Sequence, residues 1–164
     1  MAERWVVNAS PLIVLARIGR DDLFFALADQ VIVPRVVAQE IMAGPKDVAQ
    51  QALAAGRFAI IDTPPPSAEI HAWDLGAGET AVLSFAVAEP GWTVILDDEA
   101  ARKCARGLSL KVKGTLGIIL LAKQKGLIAS AAEALRSLRA IGFRIDDQTA
   151  RDALKRAVGE EWNP

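Results

Sequence analysis

The stretch from Val94 to Asp98 most constrains what this chain can fold into, because a short apolar run leads directly into two adjacent carboxylates. The run follows Gly91-Trp92-Thr93 and contains two β-branched residues, which is typical of a buried strand in a parallel sheet. In open α/β sheets, ligands bind in the crevice beyond the carboxyl ends of the strands. The sequence therefore predicts that Asp97 and Asp98 lie at a binding edge.

A second strand ends in a comparable way near the N-terminus. Trp5-Val6-Val7 leads into Asn8, and Ser10 and Pro11 are suited to begin the helix that follows. Two strand ends that carry oxygen ligands can converge on one cation. Further apolar runs at 31–33 and 58–61, and a possible short strand at 110–112, alternate with helical segments. This alternation predicts an α/β fold with a parallel sheet.

Length, charge and cysteine content set further bounds. The 164 residues fit a single domain, 1–164, that includes the predicted helices within about 130–158. The net charge of −1 gives no global basic signal, so nucleic-acid contact must depend on a local patch. The lone cysteine, Cys104, excludes an internal disulfide and is expected to be core. With no signal-peptide pattern and no apolar run long enough for a membrane span, we expect a cytoplasmic protein.

The candidate site is a set of oxygen-bearing side chains. It comprises Asn8, Glu40, Glu79, Asp97 and Asp98. Grouped carboxylates raise each other's pKa unless a cation neutralises them, and Mg²⁺ or Mn²⁺ prefers oxygen ligands. Such a site can activate water for displacement at phosphorus. A simpler interpretation is also open: Glu40 and Glu79 are solvated helix positions, and the two Asp residues cap a helix.

A local basic cluster follows the two Asp residues. It consists of Arg102, Lys103, Arg106, Lys111 and Lys113. This cluster can meet a phosphate backbone close to a bound metal, or it can form an ordinary solvated helix face and loop.

Other patterns have simpler interpretations. The run from Gly76 to Ala81 matches the dinucleotide fingerprint G-x-G-x-x-A, but no strand is predicted before it. We therefore expect a flexible helix entry that presents Glu79. An aspartyl-phosphate mechanism needs an Asp nucleophile at the first strand, where this chain has Asn8. The lone histidine, His71, is expected to be structural.

Four segments in chain order resemble PIN domains. They are VVNASPLI at 6–13, PRVVAQEI at 34–41, GAGETA at 76–81 and LDDEAAR at 96–102, and one branch of these proteins also carries GTLG, here 114–117, with Ala122-Lys123. The resemblance covers about residues 5–158. It implies a three-layer α/β/α sandwich with a central parallel sheet. Where active, PIN domains are metal-dependent nucleases that act on single-stranded RNA or structured nucleic acid.

The resemblance also implies roles and partners. It assigns metal binding and catalysis to Asn8, Glu40, Glu79 and Asp98, places Asp97 beside them, and puts Ser10 near the metal as a hydroxyl that orients water or substrate. Hydrolysis is expected to leave a 3′-hydroxyl and a 5′-phosphate. Many members are toxins paired with a small antitoxin, and a homodimer is expected. The helices expected to form that interface are the early ones around Leu23-Phe24-Phe25 and those of the last 35 residues. Phe24 and Phe25 are either the centre of the interface or internal core.

Asn8 departs from the resemblance, because the usual residue at this position is Asp. Asparagine keeps an oxygen ligand but loses a charge, and Asp97 could compensate for that loss. If it does not, the alternative is a degenerate PIN-like module that binds nucleic acid or protein without cleavage.

Overall fold

A computed structural model describes residues 2–164, and Met1, which the predicted domain includes, lies outside them. Five strands form one sheet: β1 (Arg4–Val7), β2 (Gln30–Pro34), β3 (Ala59–Ile61), β4 (Thr93–Ile95) and β5 (Val112–Lys113). Their order is β3-β2-β1-β4-β5, and every neighbouring pair is parallel. With helices on both faces, the predicted α/β/α sandwich with a central parallel sheet is confirmed.

Ten helices complete the fold within the described range. They are α1 (Ala9–Arg17), α2 (Asp22–Leu27), α3 (Arg35–Ala43), α4 (Val48–Ala54), α5 (Ala68–His71), α6 (Ala77–Ala88), α7 (Glu99–Gly107), α8 (Thr115–Gln124), α9 (Ala131–Ala140) and α10 (Asp147–Val158). The sequence pattern misses only α5, which is too short to show helical periodicity. None of the helices in residues 2–164 combines the length and apolar character needed to cross a membrane.

Strand β1 is the centre of the sheet, with β2 on one side and β4 on the other. Its residues Trp5, Val6 and Val7 are fully buried, as expected for a strand covered by helices on both faces. Val7 is in register with Ile95, and the Asn8 amide donates a hydrogen bond to the Ile95 carbonyl at 3.1 Å. The residues that follow β1 and β4 therefore emerge side by side at one edge.

The helix α2 is part of the core rather than a free surface. Phe24 is fully buried, and its ring packs edge to face against Trp5 at 6.3 Å and Phe58 at 5.7 Å between centroids. Phe25 is half-buried between Phe58 and the guanidinium of Arg57. The placement of an interface at Phe24 is therefore wrong, and the interpretation of this residue as internal core is confirmed.

The lone cysteine and the lone histidine lie in different environments. Cys104 is buried in α7 and belongs to the hydrophobic core, as predicted. His71 ends α5 and is exposed. The structural role expected of His71 stays a prediction.

The C-terminal segment is fastened to α9 through Glu160. Its carboxylate accepts hydrogen bonds from the Ser130 hydroxyl (3.0 Å) and from the amides of Ala131 (2.9 Å) and Ala132 (3.0 Å). These are groups at the N-terminus of a helix, where donors lack partners within the helix and negative charge is favoured. Partial burial opposes ionisation, but these hydrogen bonds and Lys123 together lower the pKa of Glu160.

Glu160→Ala is expected to reduce the free energy of unfolding at neutral pH by about 2 kcal/mol, because hydrogen bonds to a charged group are lost. The lowered pKa means that this contribution is present above the ordinary value of 4.5 and disappears as the pH falls through the folded-state pKa. Urea unfolding at neutral and acidic pH tests this. The exposed neighbour Glu161, changed to Ala, is the control. A difference between the variants that persists unchanged into acid would contradict the assignment.

Candidate active site at the carboxyl edge of the sheet

Asn8 lies at the carboxyl end of the central strand and at the N-cap of α1. Its side chain is almost completely buried, with 4% of the residue exposed. Within residues 2–164, its Oδ1 is the one buried side-chain oxygen or nitrogen without a hydrogen-bond partner. An unsatisfied buried acceptor costs about 1–3 kcal/mol, so this oxygen is suited to a ligand that supplies positive charge.

Gly78 brings Asn8 and Glu40 together. A Cβ atom at this glycine would lie 2.7 Å from Asn8 Oδ1 and 3.0 Å from Glu40 Oε1, closer than a side chain could tolerate without displacing them. Both oxygens therefore face the same point on the backbone of α6. The segment Gly76-Ala77-Gly78 follows α5 and a turn rather than a strand, so the glycine serves close packing and not a dinucleotide.

Glu40 and Glu79 form an acidic pair beside Asn8. Desolvation and the neighbouring charge of Glu79 raise the pKa of Glu40, and a hydrogen bond from the Gly78 backbone opposes this rise. Glu40 as a residue is exposed, so the packed side of its carboxylate faces Gly78 while the rest remains accessible. The Glu79 carboxylate is turned back towards Gly76 at the start of α6. The pair would be relieved of repulsion by a nearby cation.

Asp97 is the connecting residue of a second cluster. Its Oδ1 accepts a hydrogen bond from the Thr115 amide at 2.7 Å, and its Oδ2 accepts from the Thr115 hydroxyl at 2.6 Å. The exposed Ser10 hydroxyl also donates to Oδ2, at 3.2 Å. Asp97 thus joins the end of β4 to the N-termini of α8 and α1.

Asp98, the next residue, bonds to a different helix from Asp97. It is exposed and caps α7, accepting a hydrogen bond from the Ala101 amide at 2.9 Å. The helix-cap interpretation is confirmed for Asp98 at α7, whereas Asp97 bonds to the first amide of α8 instead. Adjacent residues of one chain thus send their carboxylates to different helix N-termini.

The five predicted ligands therefore fall into separate groups. Asn8 and Glu40 meet at Gly78, with Glu79 near enough to Glu40 for their charges to interact, whereas Asp97 lies with Ser10 and Thr115. Across residues 2–164, no three His, Cys, Asp or Glu side chains are close enough together to hold a metal ion by themselves. The unpartnered amide oxygen and the two carboxylates beside it are nevertheless all oxygen donors, which fits a hard divalent cation.

The predicted basic cluster also divides. Arg102 is half-buried, donates to the Leu96 carbonyl at 3.1 Å and lies beside Gly114 and Asp97. Lys113 lines the same cleft as Asp97. These two residues are therefore positioned next to the candidate site.

The other basic residues face elsewhere. Lys111 lines a cleft with Arg4, Gln30 and Thr93, which are the first residues of β1, β2 and β4. It therefore lies at the opposite, amino edge of the sheet. On α7, Lys103 is exposed. Arg106, near the C-terminal end of the same helix, lies 3.8 Å from Glu99 in a solvent-exposed ion pair.

Two residues of the candidate site were not predicted from the sequence: Thr115 as a partner of Asp97, and Gly78 as the point where Asn8 and Glu40 meet. Thr115 is fully buried and provides two of the hydrogen bonds to Asp97. The sequence feature that could have pointed to Thr115 is its position directly after Gly114, at the predicted start of a helix. The partner of that hydroxyl could not be predicted, because Asp97 is distant in the sequence and comes next to Thr115 only in the folded sheet.

These features define the class of protein: an all-parallel α/β/α fold with acidic and amide side chains gathered at the carboxyl edge of its sheet. A family model described as a PIN domain, DUF3368, matches residues 4–159, which is nearly the whole chain. The chain therefore belongs to the PIN-domain family, within the PIN-type nuclease superfamily. PIN domains generally use divalent metals. A comparison with curated proteins found no match.

Thr115→Val is expected to lower the free energy of unfolding by about 2 kcal/mol, because the Asp97 carboxylate loses a short hydrogen bond and remains partly buried. Urea unfolding at neutral pH measures this. Thr93→Val is the control, since Thr93 is also buried but makes no side-chain hydrogen bond within residues 2–164. Equal stability of the two variants would show that Asp97 does not depend on Thr115.

Proposed function

We propose that this protein is a Mg²⁺- or Mn²⁺-dependent endoribonuclease of the PIN type that cleaves single-stranded or structured RNA. The observation that supports this most directly is the buried, unpartnered Oδ1 of Asn8 beside the Glu40 carboxylate. In a PIN fold, this position is the end of the central strand, where oxygen ligands gather. Phosphodiester hydrolysis then leaves a 3′-hydroxyl and a 5′-phosphate.

The residues of the edge have distinct proposed roles. When bound, the cation supplies activation of water and neutralisation of the phosphate charge. Asn8, Glu40 and Glu79 provide its oxygen ligands from the protein. Ser10 is exposed and donates a hydrogen bond to Asp97, so its oxygen can accept from a water at the edge of the site. To orient a phosphate oxygen of the substrate, the hydroxyl would turn its proton away from Asp97.

Either Asp97 or Asp98 completes the proposed ligand set, and their surroundings favour Asp97. Asp97 is favoured by its hydrogen bond with Ser10, which follows Asn8 by two residues. Both aspartates would exchange protein hydrogen bonds for the cation: Asp97 those from Ser10 and Thr115, and Asp98 the one from the Ala101 amide. In this proposal Asp98 contributes to catalysis by fixing α7, which carries Arg102.

A second candidate function has an observation in its favour. Asn8 supplies no charge, and the described residues contain no cluster of three metal-binding side chains of the His, Cys, Asp or Glu type. This favours a PIN-like module that binds nucleic acid or a protein without cleaving it. Dependence on a divalent cation separates the two functions.

The partner proposals are a small antitoxin, with this chain as the toxin, and a homodimer. Since Phe24 is buried, the supporting surface lies elsewhere. A shallow apolar groove runs along α3 and α4 beside the edge strand β3. Met42 is half-exposed at this groove, with Leu53 and Ile60 as its neighbours. Apolar surface of this kind is suited to association.

The nuclease proposal predicts cleavage of labelled single-stranded RNA with Mn²⁺ and none with a chelator. Glu40→Gln is expected to lower the rate by about a hundredfold, which corresponds to about 2.7 kcal/mol of transition-state stabilisation. Glu69→Gln is the control, since Glu69 is an exposed residue of α5 that belongs to neither cluster. RNA binding without cleavage under all metal conditions would favour the non-cleaving module.

Calorimetry on the same proteins tests the metal site independently of activity. Asn8→Asp is expected to tighten Mn²⁺ binding by about tenfold, because it adds a formal charge to the ligand set. Without metal, the added buried carboxylate beside Glu40 should lower the melting temperature. Asp97→Asn tests the alternative, in which Asp97 already supplies that charge. No binding to the parent protein, or no change in either variant, would refute the metal site.

Association is tested by light scattering of the purified protein at micromolar concentration. We expect twice the monomer mass for the parent and the monomer mass for Met42→Lys, because a charge in an apolar interface must be desolvated. Val87→Lys is the matched control, since Val87 is similarly exposed on α6. A parent protein that is monomeric would overturn the homodimer. A Met42→Lys variant that remains dimeric would place the interface elsewhere.

A further inference from the structure

A cleft of about 450 Å³ opens beside Asp97 and is separate from the acidic pair at Gly78. Its floor is β5 and the first two turns of α8, and its outer wall is the loop 141–146 between α9 and α10. The cleft therefore adjoins the proposed reaction centre and is closed on one side by the C-terminal helices. Its volume lies in the range of sites that bind small ligands.

The loop that forms the outer wall is held in place. The Phe143 amide donates to the Leu138 carbonyl at 3.0 Å. Arg139 pairs with Asp147 at 2.7 Å and also donates to the Ile145 carbonyl. The wall is therefore preformed, and little ordering is needed for a ligand to bind.

One side of the cleft is apolar. Leu116 and Leu120 of α8 line it together with Phe143 of the loop, and all three residues are half-buried. An aromatic ring close to aliphatic side chains is suited to a flat, apolar-faced group. Nucleobases are such groups, and proteins that bind single strands commonly stack them on aromatic side chains.

The lining also contains three cationic side chains. Arg102, Lys113 and Arg144 line the cleft, and within residues 2–164 none of the three forms an ion pair with a carboxylate. The two carboxylates that also line it are already engaged. Asp97 is bonded to Thr115 and Ser10, and Asp146 caps α10 through the Thr149 amide and hydroxyl. With three cationic and two carboxylate side chains, the lining has a formal charge of +1, and Lys113 and Arg144 are its cations without an ion-pair partner or side-chain hydrogen bond within residues 2–164.

We propose that this cleft binds one nucleotide of a single-stranded RNA, next to the phosphate that is cleaved. The base lies between Phe143 and the leucines of α8, and its phosphate lies against Lys113 and Arg144. This inference rests on the proposed nuclease function for its direction towards RNA. A paired base cannot enter, because its face and edge are occupied within the duplex, so the cleft selects single strands.

Binding is measured by fluorescence anisotropy with a short, fluorescein-labelled single-stranded oligoribonucleotide, in a chelator so that no cleavage occurs. Lys113→Gln and Arg144→Gln are each expected to weaken binding by about fivefold, since each removes a phosphate contact. Lys111→Gln is the matched control. It removes the same charge two residues from Lys113 but at the opposite edge of the sheet, and it should change binding by less than about twofold.

The base contact has its own pair of variants. Phe143→Ala is expected to weaken binding by about tenfold through loss of stacking. Phe143→Leu keeps apolar packing against α8 and should also weaken binding, which separates stacking from a folding defect. Circular dichroism and thermal unfolding of each variant accompany the titrations. A fully paired duplex of the same sequence should bind at least about tenfold more weakly than the single strand.

Three outcomes would overturn the cleft as a nucleotide site. These are equal affinities of the Lys113→Gln and Lys111→Gln proteins, no effect of either Phe143 variant, or equal affinity for duplex and single strand. Failure of the nuclease proposal is distinguishable from these results. A protein that binds RNA through this cleft but never cleaves it refutes only the catalytic function, whereas cleavage with unchanged affinities in the variants refutes only the cleft.

Discussion

The parallel pairing of β1 with β4 is the constraint on which the rest of this structure depends. It buries the three apolar residues of β1 completely and brings the backbone N–H of Asn8 into a hydrogen bond with the Ile95 carbonyl. As a consequence, the residues after two buried strands leave the sheet side by side. A shift of the register by one residue would send the apolar side chains of β1 to the opposite face and separate these ends. The candidate site is therefore a product of core packing.

The two polar clusters at this edge differ in how their charge is balanced. Asp97 receives three hydrogen bonds from Thr115 and Ser10, so its carboxylate is satisfied by the protein. Glu40 has a raised pKa because it is desolvated and lies near Glu79, and Asn8 has an oxygen with no partner within residues 2–164. The first cluster thus stabilises the fold, and the second carries an electrostatic cost that a cation would offset.

The C-terminal helices connect stability to the proposed recognition of RNA. Their attachment through Glu160 holds α9, and α9 together with α10 holds the loop that carries Phe143 and Arg144. This loop turns the start of α8 from an open surface into one wall of a cleft. The C-terminal helices α9 and α10 therefore pack against α8, and the loop between them lines the proposed nucleotide site.

The sequence by itself determined the fold class and the edge of the sheet at which the candidate site residues lie, because buried parallel strands leave a local signal of apolar runs that end in polar residues. Several choices had no such signal, because they depend on distances between residues far apart in the chain. Asp97 rather than Asp98 meets Ser10 and Thr115. Gly78 must lack a side chain because Asn8 and Glu40 approach it, and Lys111 and Lys113 face opposite edges of the sheet. Only the tertiary structure decides these contacts.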